Sequence, residues 1–318
     1  MGIRKPKIVV IGGGTGLPVL LEGLKRYPIE LTALVTVADD GGSSGEIRKK
    51  FNVPAPGDIR NVIIAMAESD PELGHLFQYR FQDVEELSGH SLGNLLLVSL
   101  TEVKGSFFAA VKELSHIFNV KGKVYPMTDE SISLVAEMSD GTIVNGESNI
   151  PLAKKKIKQI YLGPETPQPI PEVIEAIVEA DYIIIAPGSL YTSIIPNLIL
   201  PEINQACQQT DAHFIYVCNI MTQDGETTNY YASDHIHALH SHMNDNIISS
   251  IIVNNGKISQ KTLRNYRREN AKVVQNDYDQ LKAQGLTIIA DDIVDDSTGT
   301  VRHNTGKVAK LIYQLIRS

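Results

Sequence analysis

The stretch KIVVIGGGTGLPVLLEGL, Lys7 to Leu24, decides the fold. Ile8 to Ile11 are all β-branched, which suits a strand buried on both faces. Gly12, Gly13, Gly14, Thr15 and Gly16 follow, and then Leu17, Leu20, Leu21 and Leu24 recur at helical spacing. Strand, glycine turn and helix together make a phosphate cradle. Glycine lets the backbone turn tightly and approach a ligand, and the helix start offers free N–H groups and a partial positive charge. The residues Gly12 to Gly16 are therefore expected to hold a phosphate-bearing ligand. Leu17 stands where a dinucleotide fingerprint has its third glycine, and no Lys follows the glycines, so the loop is not a Walker A motif.

Working outward, LTALVTVADD (31–40) reads as a second strand ending in two carboxylates. The segment 7–40 has the length of a strand–helix–strand crossover. Asp39 or Asp40 stands where a dinucleotide fold contacts the ribose, although a strand-end Asp also commonly caps a turn. The run Gly41 to Gly45 includes Ser43 and Ser44, a second anion-accepting loop or, with Asp40, a ligand set for Mg²⁺ on a phosphate. Pro56-Gly57 signals a turn with Asp58 as helix N-cap; Arg60 in the first helical turn pairs either with a carboxylate or with a ligand. Ser91 is placed to cap the next helix and Asn94 to face a cleft.

Residues 120–160 change to short alternating runs with Gly and Asn between them, a β-rich insertion. The α/β rhythm returns at Pro171. The fully apolar strand YIIIAPGSL (182–190) reads as central and parallel, and loops after such strands line the ligand crevice. Gly188, Ser189, Tyr191 and Thr192 are expected there, as is Asn219 after HFIYVCNI (213–220). His235, His237, His240 and His242 lack the i, i+4 spacing of a zinc helix. KTLRNYRREN (261–270) gathers four cations around Tyr266, either a solvated face or a ligand-facing one, and Arg302 to Thr305 precede a closing helix.

The chain has 318 residues, 42% hydrophobic and 21% charged, with a net charge of −8. That charge argues against a general nucleic-acid binder. Cys207 and Cys218 fit no metal or redox spacing and read as buried thiols in a reducing compartment. No apolar run is long enough to span a bilayer, and no leader-like segment precedes the first strand; both lead to the expectation of a cytoplasmic protein. The expected fold is one α/β domain, residues 1–318. It is a Rossmann-like, doubly wound, mostly parallel sheet with a β-rich insertion at about 120–160. A homodimer is a common state at this size.

Six loops in order, GGGTGL (12–17), ADDGGSSG (38–45), PGDIRN (56–61), GHSLGN (89–94), APGSLYTSIIPNL (186–198) and CNIMTQDGET (218–227), resemble the YvcK-like branch of the CofD-like family. The resemblance runs essentially end to end. It implies a bacterial cytoplasmic protein linked to growth on gluconeogenic carbon sources and to cell shape and wall synthesis. It also implies binding of UDP-sugars, notably UDP-N-acetylglucosamine. The sister branch implies a Mg²⁺-dependent enzyme that transfers 2-phospho-L-lactate from a nucleotide-linked donor.

Carried over, Gly12, Gly13, Gly14, Thr15 and Gly16 take the phosphates. Asp39, Asp40, Ser43, Ser44, Asn94, Gly188, Ser189 and Asn219 lie in the cleft. Residue chemistry adds Tyr266 and Arg302 for base, sugar or diphosphate, and makes Thr305, beside Arg302, a candidate phosphosite. No paired acid and base and no activated nucleophile are visible, so catalytic residues stay unassigned. Three readings stand: a UDP-sugar-binding regulator acting on a wall-synthesis or metabolic partner, a Mg²⁺-dependent transferase of the phospho-lactate type, and an NAD- or NADP-binding enzyme.

Overall fold

A computed structural model describes residues 4–82, 87–163, 167–243 and 245–317. Its centre is a seven-stranded parallel sheet. The strands are β1 (Lys7–Gly12), β2 (Glu30–Val35), β3 (Lys123–Pro126), β7 (Tyr182–Ile185), β8 (His213–Val217), β9 (Ile248–Asn254) and β10 (Thr287–Asp291). Their spatial order is β3-β2-β1-β7-β8-β9-β10. Between β3 and β7 lies a separate antiparallel sheet of β4 (Ser133–Met138), β5 (Ile143–Asn145) and β6 (Ile157–Gly163), in the order β5-β4-β6. A two-stranded ribbon, β11 (Val294–Asp295) with β12 (Arg302–His303), completes the strands.

The sheet forms because its strands are apolar on both faces. Ile8 to Ile11 and Ile183 to Ile185 are buried, and the helices Gly16–Leu24, Gly57–Met66 and Pro171–Val178 supply further members of the same core. Leu17, Leu20, Leu21 and Leu24 are almost fully removed from solvent, each contributing about 1.5–3 kcal/mol. The helix Gly16–Leu24 also packs directly on the helix Thr305–Arg317. A Cβ on Gly23 would lie 2.7 Å from the Thr305 carbonyl oxygen, and Tyr27 stacks on Tyr313 at 4.4 Å.

The chain reverses direction across the sheet between β1 and β7. Register aligns Ile11 with Leu34 and with Ile185, so the strands end level at one crest. At that crest the loops after β1 and β7 diverge and leave a crevice, the general ligand position in open α/β sheets.

Some expected boundaries move. Lys123–Pro126 joins the main sheet beside β2, so the inserted lobe runs from Ser133 to Gly163 rather than 120–160. A short alternating run reads alike in a hairpin and at a sheet edge, and Pro126 is tolerated because β3 is an edge strand. Strand β2 ends at Val35, so Asp39 and Asp40 lie in the following loop. The helix Gly57–Met66 begins with Pro56, not Asp58, in the N-cap position. No single helix among the described residues is long and apolar enough to cross a membrane.

Candidate functional site

The glycine loop adopts its shape for two local reasons. Gly14 has φ +63°, the left-handed region that disfavours a side chain. Gly16 lies so close to the β7 loop that a Cβ would sit 2.0 Å from the Pro187 carbonyl oxygen. Thr15 makes no side-chain cap, so the first N–H groups of the helix Gly16–Leu24 have no hydroxyl on them.

Above this loop opens a cavity of about 750 Å³. Gly14, Thr15 and Gly16 form one wall, Gly188, Ser189 and Asn219 the floor, and Tyr266, Arg302 and His303 the opposite wall. The Asn219 amide clamps the floor: its Nδ2 donates to the Gly188 carbonyl at 2.6 Å and its Oδ1 accepts the Gly188 N–H at 3.0 Å. Gln223 Nε2 donates to Ser189 Oγ at 2.8 Å.

The opposite wall comes from two distant segments. Tyr266 lies on the helix Gln260–Arg268, and its hydroxyl accepts the Val301 N–H at 2.8 Å. The ribbon β11/β12 pairs Asp295 with Arg302 and Val294 with His303. His303 Nε2 donates to the Cys218 carbonyl at 3.0 Å, and burial lowers its pKa to about 4. The imidazole is therefore neutral near pH 7, with Nδ1 as an acceptor. Cys218 itself is inert: burial pushes its thiol up to about 12.

A second polar cluster adjoins the glycine loop. Asp58 Oδ2 accepts the Gly14 N–H at 2.6 Å. Burial lifts Asp58 to about 6; the Gly14 hydrogen bond opposes this and the nearby charge of Asp39 adds to it. Asp39 Oδ1 accepts the Gly41 N–H, and Asp40 Oδ1 accepts the Ser148 N–H from the inserted lobe, both at 2.9 Å. Glu147, beside Ser148, is raised to about 7 by burial and by the charges of Asp39, Asp40 and Glu226.

Glu226 is raised to about 7, chiefly by burial, while accepting from the Tyr191 N–H and the Thr192 hydroxyl. Tyr191 and Thr192 are thus core residues holding Glu226, not part of the cavity wall. Ser43 Oγ accepts from Asn94 Nδ2 at 3.1 Å and bonds His90 Nδ1 at 2.9 Å. Arg60 is buried and donates to Ser91 Oγ, Asn94 Oδ1 and Asn61 Oδ1. Its partners are neutral polar groups rather than a carboxylate, and burial lowers its pKa.

The expected residues therefore divide. Gly14, Thr15, Gly16, Gly188, Ser189, Asn219, Tyr266 and Arg302 line one cavity. Gly12 and Gly13 lie beneath it: a Cβ on Gly12 would meet Ala186 at 3.1 Å and one on Gly13 would meet Thr36 at 2.3 Å. Asp39, Asp40, Ser43, Ser44 and Asn94 belong to the adjoining cluster. Thr305 starts the helix Thr305–Arg317, half-buried against Gly23.

The helix Ala232–Met243 carries the four histidines. His242 Nδ1 donates to the Ala238 carbonyl at 2.7 Å and its Nε2 accepts the Ile160 N–H at 3.1 Å, which ties the inserted lobe to the main body. Among the described residues no three His, Cys, Asp or Glu side chains converge to hold a metal ion. A Mg²⁺ at this site would take one or two carboxylates, Asp39 and Asp40 being the candidates, and complete its shell from ligand phosphates and water.

The comparisons agree with this architecture. The chain matches the family described as 2-phospho-L-lactate transferase CofD over residues 8–294. It is 50% identical over 314 residues to the "Gluconeogenesis factor" of Bacillus subtilis, covering 99% of each. It is 45% identical over 312 residues to the protein of that name from Listeria monocytogenes, covering 98% of this chain and 96% of that one. A crystal structure of a Bacillus halodurans protein superposes with TM-score 0.95 at 50% identity, covering 98% of this chain and 100% of the other.

Proposed function

Because the chain belongs to the CofD family, we propose that it is a nucleotide-sugar-binding regulator. In this reading it takes a UDP-sugar, UDP-N-acetylglucosamine first among them, in the cavity over Gly14 to Gly16. Occupancy then adjusts a wall-synthesis or metabolic protein partner in the cytoplasm, in support of growth and cell shape on gluconeogenic carbon sources.

One observation carries the reading. A single cavity of about 750 Å³ joins an uncapped helix start and glycine amides on one side to Arg302, Tyr266 and neutral His303 on the other. The uncapped amides of the helix start, rather than the Gly14 and Gly188 amides that Asp58 and Asn219 hold, together with Arg302 suit a diphosphate, the first by the helix dipole and the second by charge-assisted hydrogen bonds. Tyr266 offers a ring for a base or sugar, and His303 Nδ1 an acceptor for a ligand hydroxyl or N–H. The curated relatives' name, gluconeogenesis factor, supports the physiological half of the proposal. Thr305 next to this wall is the proposed phosphosite, where an added anion would meet both Arg302 and a helix start.

A second reading has its own support. The carboxylates of Asp39, Asp40, Asp58, Glu147 and Glu226 act on one another beside the glycine loop, and three of them have raised pKa values. Such a set suits a Mg²⁺-dependent transferase of the phospho-lactate type, in which Asp39 and Asp40 help hold the ion that neutralises phosphate charge.

The test is thermal melting with UDP-N-acetylglucosamine, UDP-glucose, GDP, NAD and NADP, each with and without Mg²⁺. A ligand at a hundredfold excess over its Kd stabilises the fold by about 2.7 kcal/mol. Stabilisation by the UDP-sugars with the ligand intact supports the regulator. Mg²⁺-dependent cleavage of a nucleotide donor supports the transferase. Absence of any shift at millimolar UDP-sugar overturns the first reading.

A further inference from the structure

The helix Gln260–Arg268 faces two ways. Inward it offers Asn265 and Tyr266 to the ligand cavity. Outward it exposes Lys261, Arg264, Arg267 and Arg268. None of these four side chains makes an ion pair or hydrogen bond among the described residues, although the chain as a whole is strongly acidic.

A merely solvated helix face is normally laced with opposite charges at i, i+3 and i, i+4. Here those spacings join like charges: Lys261 with Arg264, and Arg264 with both Arg267 and Arg268. Arg267 and Arg268 gain from the helix C-terminus, but Lys261 in the first turn opposes the dipole. Thr262 is the helix's one buried residue, so little packing offsets the repulsion. The helix is fastened instead by single bonds, from Val301 to Tyr266, Asn265 to Gly299 and Ser259 to Asp296.

Beside Arg267 runs a groove of about 360 Å³, floored by Tyr230, Leu263 and Val273 and edged by Tyr231 and Lys272. Tyr231 is 50% exposed.

We infer that the outer face of the helix Gln260–Arg268, with this groove, is a docking surface for an acidic protein segment carrying apolar or aromatic side chains. Charge complementarity selects the acid, because arginine forks pair carboxylates two at a time and four unpaired cations await them. The mixed groove selects the apolar side chain. A membrane fits less well: the exposed positions of the helix are all charged or polar, which leaves the ring of Tyr231 alone to enter lipid, and the acidic remainder of the chain is repelled by an anionic surface. The inference rests on the regulator reading only in supposing an output partner.

The test uses the full chain and a fluorescein-labelled peptide of four Glu-Glu-Phe repeats, read by anisotropy, with a Lys-Lys-Phe peptide as control. The expected result is binding of the acidic peptide alone, weakened at least tenfold by 0.5 M salt and by the triple variant Arg264→Glu, Arg267→Glu, Arg268→Glu. Those three residues do not line the ligand cavity. The variant should therefore keep its melting shift with UDP-N-acetylglucosamine, which also certifies its fold. The neutral Gln triple should fall between. Equal binding by wild type and the Glu triple, or no binding of the acidic peptide, overturns the docking surface. Cosedimentation with phosphatidylserine vesicles that the Glu triple abolishes, in place of peptide binding, overturns it in favour of a membrane. Loss of the UDP-sugar shift in the wild type bears on the proposed function alone and leaves the peptide titration to decide this one.

Discussion

The Asp58 carboxylate accepts the Gly14 backbone N–H at 2.6 Å, across 44 residues of sequence. One donor of the glycine loop is thus held by the protein itself, in the geometry the left-handed Gly14 requires. Asp58→Ala leaves that part-buried N–H without its carboxylate acceptor, which costs up to about 1–3 kcal/mol. The expected outcome is a lower melting temperature without ligand, checked by calorimetry. Asp58→Asn keeps an acceptor and should lose much less.

Gly16 tests the closeness of the β1 and β7 loops. A methyl group there meets the Pro187 carbonyl oxygen at 2.0 Å, and backbone cannot rotate aside. Gly16→Ala should destabilise by about 1–3 kcal/mol or more, the usual penalty of overpacking. It should also abolish the melting shift with UDP-sugar, because the two loops bound one cavity. A shift of wild-type size in this variant would place the ligand elsewhere.

Arg302 is exposed apart from its place on the cavity wall. Arg302→Ala should leave the unliganded melting temperature within about a degree and weaken UDP-sugar binding about tenfold or more, the worth of a charge-assisted hydrogen bond of about 1.5–3 kcal/mol. Isothermal titration of wild type, Arg302→Ala and Arg302→Lys measures it, with Lys restoring part of the loss.

The raised carboxyls fix the sign of a pH effect. Glu226 moves from an ordinary 4.5 to about 7, Glu147 from 4.5 to about 7 and Asp58 from 3.8 to about 6. Each holds its proton more tightly folded than unfolded. The stability they confer is fully present below the unfolded values and is lost as pH rises through the folded ones. The melting temperature should therefore fall between about pH 5 and about pH 8. Glu226→Gln, neutral throughout, should flatten part of that fall and melt higher than wild type on the alkaline side.

His242 joins the inserted lobe to the main body through the Ile160 N–H. His242→Ala removes the acceptor of a buried donor, again about 1–3 kcal/mol. Hydrogen exchange should quicken across β4 and β6 while β1 and β7 keep their protection. Uniform quickening would mean that the lobe and sheet open as one unit.

The sheet and the glycine loop were legible because their signals are local: β-branched runs, a glycine turn and leucines one helical turn apart. The place of Gly188 and Asn219 in the cavity lining followed from the rule that loops after parallel strands gather at one crest of the sheet. Other parts were hidden for physical reasons. Asp58 reads as a cap because Pro56-Gly57 precedes it, and only tertiary contact aims it at Gly14 instead. Glu147 and Glu226 look like ordinary surface acids, since burial is not written in their neighbours. His303 is a lone histidine until the ribbon turns it toward Cys218. Val120 to Ile160 misleads because an edge strand and a hairpin strand share one alternating pattern.

The order of synthesis has a consequence for this site. The glycine loop leaves the ribosome early, while the wall it needs, Gly299 to His303, and the helix that covers Gly23 come about 290 residues later. At 5–20 residues per second that interval is roughly 15–60 s. Throughout it, the nascent chain carries the glycine turn and only part of the cavity lining. A chain interrupted before Gly299 has the glycine loop but lacks the Gly299 to His303 part of the cavity lining.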